Sequence, residues 1–145
     1  MSQPYISVLL DSQALTALAQ KAPALQPWTQ LVKSGRARYF VSTITLTEST
    51  DGSARDASVR RIVKTMSTTI APTEDISYLA GKIRTGANLG RRKARDLTVD
   101  AIVVATAATL PPPAVILTSD PTDLLLLRTQ LPITEQNKID IQQIN

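Results

Sequence analysis

The chain has 145 residues, a formal net charge of +4, 43% apolar residues and only 3% aromatic ones. This length predicts a single domain, residues 1–145, with an aliphatic core. The chain contains no cysteine and no histidine, which excludes disulfides, serine–histidine–aspartate catalysis and the usual zinc sites. Any metal ion would therefore need oxygen ligands, which favours Mg²⁺ or Mn²⁺.

The sequence gives no indication of secretion or of a membrane span. Residues Met1–Pro4 lack the basic start of a signal peptide. The uncharged run from Ala101 to Ser119 is interrupted by three prolines, Pro111–Pro113, and therefore predicts a helix, a break and a strand. We expect a cytoplasmic protein that does not interact with a membrane. The net positive charge is a weak indication of a polyanionic partner.

Predicted strands and helices alternate along the chain. Two segments, Tyr5–Asp11 and Ala114–Thr118, are almost continuously apolar, as in strands that are covered on both faces. The other predicted strands are residues 38–42, 68–71 and 139–144, and the last alternates as an edge strand does. Predicted helices cover residues 12–20, 28–34, 44–50, 54–66, 98–108 and 124–129. A further helix is capped by Thr73 and is followed by a glycine-punctuated connection, Gly86–Arg95.

Strands that are separated by helices indicate an α/β fold. The sheet is predicted to be mostly parallel, with four to five strands and with helices on both faces. In such a fold the carboxyl ends of the strands lie at one edge of the sheet, which is where ligands bind. Side chains that directly follow the predicted strands are therefore expected at this ligand-binding edge.

Five acidic residues lie at or near this predicted edge. Asp11 follows the first strand, Glu48 follows the second, and Asp120 and Asp123 follow the fourth, while Asp100 lies near the start of an apolar helix. Each has a simpler explanation as a helix cap, a first-turn acid or a surface residue. However, two carboxylates about 4 Å apart repel each other by about 4 kcal/mol at an effective dielectric near 20. Converging acids therefore require partial protonation or a bound cation.

Four segments in this order resemble the PIN domain family, and within it the VapC-type toxins of toxin–antitoxin pairs. They are Val8–Ser12, Glu48 after a strand, Asp100–Ala107 and Leu117–Asp123. The resemblance covers nearly the whole chain and implies a PIN-like three-layer α/β/α fold. It departs from the family at Gln13, where relatives often have Ser, Thr or Asn.

The resemblance also implies site residues and an activity. The catalytic acids would be Asp11, Glu48, Asp100 and Asp120. The metal ligands would be Asp11, Asp100, Asp120 and Asp123. Ser12 and Thr118 would supply supporting hydroxyls. Such a site implies a Mg²⁺- or Mn²⁺-dependent endoribonuclease that cleaves RNA phosphodiesters with a metal-activated water. The implied partners are an RNA substrate, a cognate antitoxin protein and a second copy of the chain in a homodimer.

A basic segment precedes Asp100. Between Lys82 and Arg95 the chain has six basic residues and no acid. Five of them are predicted to bind RNA phosphates: Arg84, Arg91, Arg92, Lys93 and Arg95. The segment could equally be a solvated loop.

Two other functions remain open from the sequence. The first is a catalytically inactive PIN-like module that binds RNA or protein. The second is an α/β phosphatase with Asp11 as the nucleophile, which is disfavoured because the second nearby aspartate of such enzymes is missing. A nucleotide-binding P-loop is excluded, because Gly81-Lys82 follows no predicted strand.

Overall fold

The structure is a computed structural model that describes residues 4–88 and 96–145. Five strands form one sheet in the spatial order β3-β2-β1-β4-β5, and all neighbouring pairs are parallel. The strands are β1 Ile6–Leu10, β2 Ala37–Ser42, β3 Ser67–Ile70, β4 Ala114–Thr118 and β5 Ile139–Gln143. The first strand is thus central, and the predicted edge position of the last strand is confirmed.

Helices connect the strands and cover the sheet. They are α1 Ser12–Ala19, α2 Gln26–Lys33, α3 Thr43–Ser49, α4 Asp56–Met66, α5 Glu74–Asn88, α6 Thr98–Ala107, α7 Thr122–Arg128 and α8 Ile133–Gln136, with a 3₁₀ turn at Pro23–Leu25. The predicted three-layer α/β/α fold is therefore confirmed.

The core has two layers, one on each face of the sheet. Side chains alternate between the faces along each strand. Leu9, Phe40 and Ile116 pack with α5, α6 and α7 in one layer. Val8 and Leu10 belong to the other layer, with α1, α2 and α4. Because β1 is buried on both faces, it has the almost continuous apolar sequence from which it was predicted.

Local sequence signals fix the ends of several helices. Asp11 caps α1, since its carboxylate accepts a hydrogen bond from the Ala14 backbone N–H at 2.8 Å. Thr73 caps α5 through the Ile76 N–H at 3.2 Å. Gly35 ends the turn after α2 with a φ of 80°, a left-handed conformation that glycine adopts without strain.

One predicted boundary is wrong. The sequence predicts a connection from Gly86 onwards, but α5 continues to Asn88. The apolar face formed by Ile76, Ala80, Ile83 and Ala87 continues past the glycine and is buried along its whole length. Packing of this face therefore outweighs the low helix propensity of one glycine.

The helices are short or only partly apolar. Within the two described ranges, none is both long enough and apolar enough to span a bilayer.

The central position of β1 predicts a large loss of stability when its core side chain is shortened. Leu9 is fully buried in the layer under α6. Leu9→Ala should lower the free energy of unfolding by about 2–5 kcal/mol, measured by urea denaturation, because the substitution leaves a cavity. Leu125→Ala is the matched control, since Leu125 is 38% exposed. Equal losses in the two variants would contradict this account of the core.

Candidate active site

The carboxyl ends of β1 and β4 form the topological switch point of the sheet. From β1 the chain continues through β2 to β3 on one side, whereas β4 and β5 lie on the other side. The connections leaving β1 and β4 therefore run in opposite directions, which opens a crevice between the two strand ends. Asp11 directly follows β1, and Thr118 is the last residue of β4.

Asp11 is held firmly at this crevice. Its side chain is only 7% exposed, and its backbone N–H donates to the carbonyl oxygen of Leu117 on β4 at 3.3 Å. Its carboxylate also caps α1. The sequence allowed Asp11 to be a helix cap or a site acid. The structure shows that Asp11 caps α1 and also lies at the switch point of the sheet.

Burial raises the pKa of Asp11 above its ordinary value of 3.8. Hydrogen bonds from the Thr118 side chain and from the backbone at Ala14 and Gln13 lower it, but they do not offset the loss of hydration. The charge of Glu48 adds a smaller upward shift in the pKa of Asp11. The buried carboxyl group of Asp11 therefore holds its proton more tightly than a solvent-exposed aspartate does.

Three polar side chains form a row across the central strands. Leu9 pairs with Phe40 on β2 and with Ile116 on β4. Two residues further along each strand, Asp11 lies at the level of Ser42 and Thr118, and all three follow the alternation toward the same face. This face is the one covered by α6. Asp11 is therefore flanked by a hydroxyl residue on each neighbouring strand; this polar row is defined as Ser42, Asp11 and Thr118.

Glu48 and Asp100 lie on helices that pack around this row. Glu48 is exposed on α3, and α3 contacts both α1 and α6. Asp100 is half-buried in the first turn of α6. The structure thus brings the charge of Glu48 close enough to Asp11 to affect its pKa, and it places Asp100 on the helix that covers the row.

The two acids after β4 have different environments. Asp120 is exposed, and its carboxylate accepts the Thr122 N–H at 3.2 Å. Asp123 is 7% exposed in the first turn of α7. The turn that carries both acids is attached to the row through Thr118, whose hydroxyl accepts the Asp120 N–H at 3.1 Å.

Gln13 is a site residue that sequence reasoning missed. Its side-chain amide oxygen, Oε1, accepts hydrogen bonds from the Thr118 hydroxyl at 3.3 Å and from the Ser119 backbone N–H at 3.2 Å. Gln13 therefore joins the start of α1 to the end of β4 and orders the hydroxyl beside Asp11. The signal in the sequence was the departure from the family pattern at this position. Ser12, which the sequence suggested instead, contacts α3 through its carbonyl oxygen, which accepts the Ser49 hydroxyl at 3.5 Å.

An open groove runs beside these residues. It has a volume of about 620 Å³ and is lined by α1 and the turn after it, by Glu48 and Ser119, and by the last two residues of the chain, Ile144 and Asn145. Ser12, Gln13 and Ser119 contribute polar side chains or backbone to it. The groove offers space for an extended ligand next to the carboxyl edge of the sheet.

The donor set fits a hard divalent cation in an open site. In the part of the chain that the structure describes, no three acidic side chains form a ready metal-binding group. Mg²⁺ usually needs only one or two protein carboxylates, because waters and substrate phosphates supply the remaining ligands. Asp11, a buried carboxylate beside the hydroxyl of Thr118, is of the right type to supply one such ligand.

The basic residues are placed only in part. Arg84 is exposed on α5, and its guanidinium donates to the Thr98 hydroxyl at 3.2 Å. This contact links α5 to the start of α6, two residues before Asp100. The other predicted RNA-binding residues, Arg91, Arg92, Lys93 and Arg95, lie outside the described ranges.

The raised pKa of Asp11 predicts how stability depends on pH. The folded protein binds a proton at Asp11 more tightly than the unfolded chain does, so this group stabilises the fold below about pH 4 and loses that contribution as the pH rises through the raised pKa. Asn can also cap a helix. Asp11→Asn in EDTA should therefore be more stable than the wild type near pH 7 and should lose this advantage near about pH 3.5, measured by urea denaturation.

Asp51→Asn is a control at a group whose pKa is shifted in the opposite direction. Hydrogen bonds from Ser53 lower the pKa of the exposed Asp51, so its substitution should give no gain in stability near pH 7. A gain in stability at Asp51, or none at Asp11, would contradict the assignment.

The fold is similar to that of chains in solved toxin–antitoxin structures. A VapBC2 complex from Rickettsia felis bound to a promoter DNA fragment matches at 15% identity and a TM-score of 0.65, covering 96% of this chain and 99% of the other. DNA-bound VapBC from Salmonella typhimurium matches at 15% identity and a TM-score of 0.64, covering 95% and 98%. VapBC-1 from nontypeable Haemophilus influenzae matches at 18% identity and a TM-score of 0.58, covering 94% and 97%.

At the level of sequence the chain is more isolated. No protein-family model matches it, and no curated protein matches it either. The similarity to the VapBC structures therefore concerns the fold, over nearly the full length of both chains. The chain has the three-layer α/β/α fold that its sequence predicts.

Proposed function

We propose that this chain is a Mg²⁺- or Mn²⁺-dependent endoribonuclease and the toxin of a type II toxin–antitoxin pair. The observation that carries the proposal is Asp11, a buried carboxylate with a raised pKa at the switch point of a PIN-like sheet. A buried carboxyl group with a raised pKa, whose chain neighbours Ser12 and Gln13 line an open groove, supports a functional role in addition to the helix cap.

The proposed roles are those that the resemblance to the PIN domain family implies for these residues. Asp11, Asp100 and Asp120 hold the cation, directly or through water, with Asp123 as a further ligand. Glu48, exposed at the groove, orients the attacking water. Thr118 and Gln13 keep the Asp11 carboxylate in place. The cation, when bound, supplies Lewis acidity and lowers the pKa of a coordinated water.

RNA is the proposed substrate because a basic segment, Lys82–Arg95, shortly precedes Asp100 in the sequence. Arg84 is anchored at the start of α6 and remains exposed. Together with Arg91, Arg92, Lys93 and Arg95 it would neutralise the phosphates on either side of the cleaved bond. The groove beside Glu48 would accept the strand.

The proposed protein partners are an antitoxin and a second copy of the chain. Support comes from the solved structures of similar fold, which are VapBC complexes. We propose that the antitoxin inhibits the enzyme by covering the acidic edge. Coexpression of the antitoxin with this chain should therefore restore growth to cells in which the chain alone is toxic.

A second candidate function is an inactive PIN-like module that binds RNA or protein. It is favoured by one observation, namely that the described residues form no preassembled group of three acids. Treatment with EDTA separates the two functions. An enzyme loses RNA cleavage in EDTA and regains it with added Mn²⁺, whereas an inactive module binds RNA equally well in both conditions.

Neutralising the proposed ligands should remove cleavage without unfolding the protein. Asp11→Asn and Asp100→Asn should each lower the rate of RNA cleavage by about 100-fold or more, because a cation contributes several kcal/mol to the transition state. The rate would be measured on a labelled single-stranded RNA with Mn²⁺, and folding would be checked by thermal unfolding.

Asp140→Asn is the matched control for charge. Asp140 is an exposed acid on β5 that bonds within its own strand. Its substitution should leave cleavage unchanged. Cleavage at the wild-type rate by both Asp11→Asn and Asp100→Asn would rule out the proposed site.

The basic segment predicts a change in the salt dependence of RNA binding. Each phosphate contact contributes about 0.7 to the slope of log affinity against log salt for a single strand. Arg91→Ala combined with Arg92→Ala should therefore reduce the slope by about 1.4. Lys33→Ala should leave the slope unchanged, because Lys33 lies on α2, which packs on the face of the sheet opposite α5 and α6. An unaltered slope in the double variant would show that these arginines do not contact phosphates.

A further inference from the structure

Two buried hydroxyls lie where β2 passes into α3. Ser42 and Thr45 are both 0% exposed, and neither hydroxyl has a hydrogen-bond partner among residues 4–88 and 96–145. A serine directly before a helix usually accepts a hydrogen bond from the helix backbone, but the Ser42 side chain makes no such bond. A buried hydroxyl without a partner costs free energy, so within the described ranges these two groups lower the stability of the fold unless they bind something else.

The position of Ser42 connects it to Asp11. Both residues belong to the polar row, on neighbouring parallel strands that lie about 4.8 Å apart. On the other side of Asp11, Thr118 is already engaged with Gln13 and with the Asp120 backbone. Within the described ranges, the hydroxyl of Thr118 therefore has hydrogen-bond partners in the protein, whereas the hydroxyl of Ser42 has none.

Thr45 extends this region to the neighbouring helices. It lies in the first turn of α3, and Glu48 follows one turn later. The helix contacts α1, which Asp11 caps, and α6, which carries Asp100. Both unbonded hydroxyls are thus on the segment that packs against the elements bearing the proposed acids.

We propose that Ser42 and Thr45 are positioning residues of the cation site, whose hydroxyls donate hydrogen bonds to oxygen atoms that coordinate a divalent cation at Asp11. The inference rests on the proposed function, since it requires that the cation binds. Groups that hydrogen-bond to metal ligands fix the orientation of those ligands, and their loss typically weakens metal binding about 10- to 100-fold.

The test combines two measurements on each purified variant. Isothermal titration calorimetry measures the affinity for Mn²⁺, and thermal unfolding in EDTA measures stability. Ser42→Ala and Thr45→Val should each weaken Mn²⁺ binding about 10-fold. In EDTA their thermal midpoints should be unchanged or higher than that of the wild type, because each substitution removes an unsatisfied buried hydroxyl. A structural role would produce the reverse pattern, with a lower midpoint and unaltered Mn²⁺ affinity.

Ser7→Ala is the matched control. Ser7 is also 0% exposed and lies on β1, on the same face as Asp11 but near the opposite end of the strand. Its hydroxyl donates to the Pro111 carbonyl oxygen at 2.7 Å. Ser7→Ala should therefore lower the midpoint by about 2–4 °C and leave Mn²⁺ affinity unchanged.

The outcomes distinguish this inference from the proposed function. If the wild-type protein binds no Mn²⁺, the inference and the proposed function both fail. If the wild type binds Mn²⁺ and both variants bind it with equal affinity, only the inference fails. Should Ser42→Ala not fold, a wild-type Mn²⁺ affinity in Thr45→Val is sufficient to overturn the inference, and a 10-fold loss supports it.

Discussion

Burial of one carboxylate at the end of the central strand is the constraint on which the site depends. Asp11 lies between β4 on one side and β2 on the other, and the loss of hydration raises its pKa despite three hydrogen bonds. A fold retains such a group at a cost in stability. The surrounding contacts reduce this cost: Thr118, Gln13 and the cap of α1 all help to hold the carboxylate in one orientation.

Much of the fold could be predicted because each layer leaves a periodic signal. The two strands that are buried on both faces, β1 and β4, have continuous apolar sequences, and the edge strand β5 alternates. The parallel pairing of β1 with β4 follows from the helices between the strands, and it places Asp11 beside Thr118. The end of α5 could not be predicted in this way, because the burial of Ala87 outweighs the propensity of Gly86.

The candidate site was predictable only in its acids. Carboxylates after strands are visible in a sequence, whereas the hydrogen bonds that organise them depend on tertiary neighbours. Gln13 looked like a departure from a motif, yet it bonds to Ser119, which is 106 residues away in the chain. By type, Ser42 is an ordinary residue before a helix and Thr45 an ordinary helix residue. They are distinguished by being buried with no hydrogen-bond partner in the described part of the chain.

The long separation between the two halves of this edge has a consequence for synthesis. Asp11 and Gln13 emerge from the ribosome early, but Thr118 and Ser119, which complete their environment, emerge only after most of the chain has been made. An incomplete nascent chain therefore lacks the ordered edge.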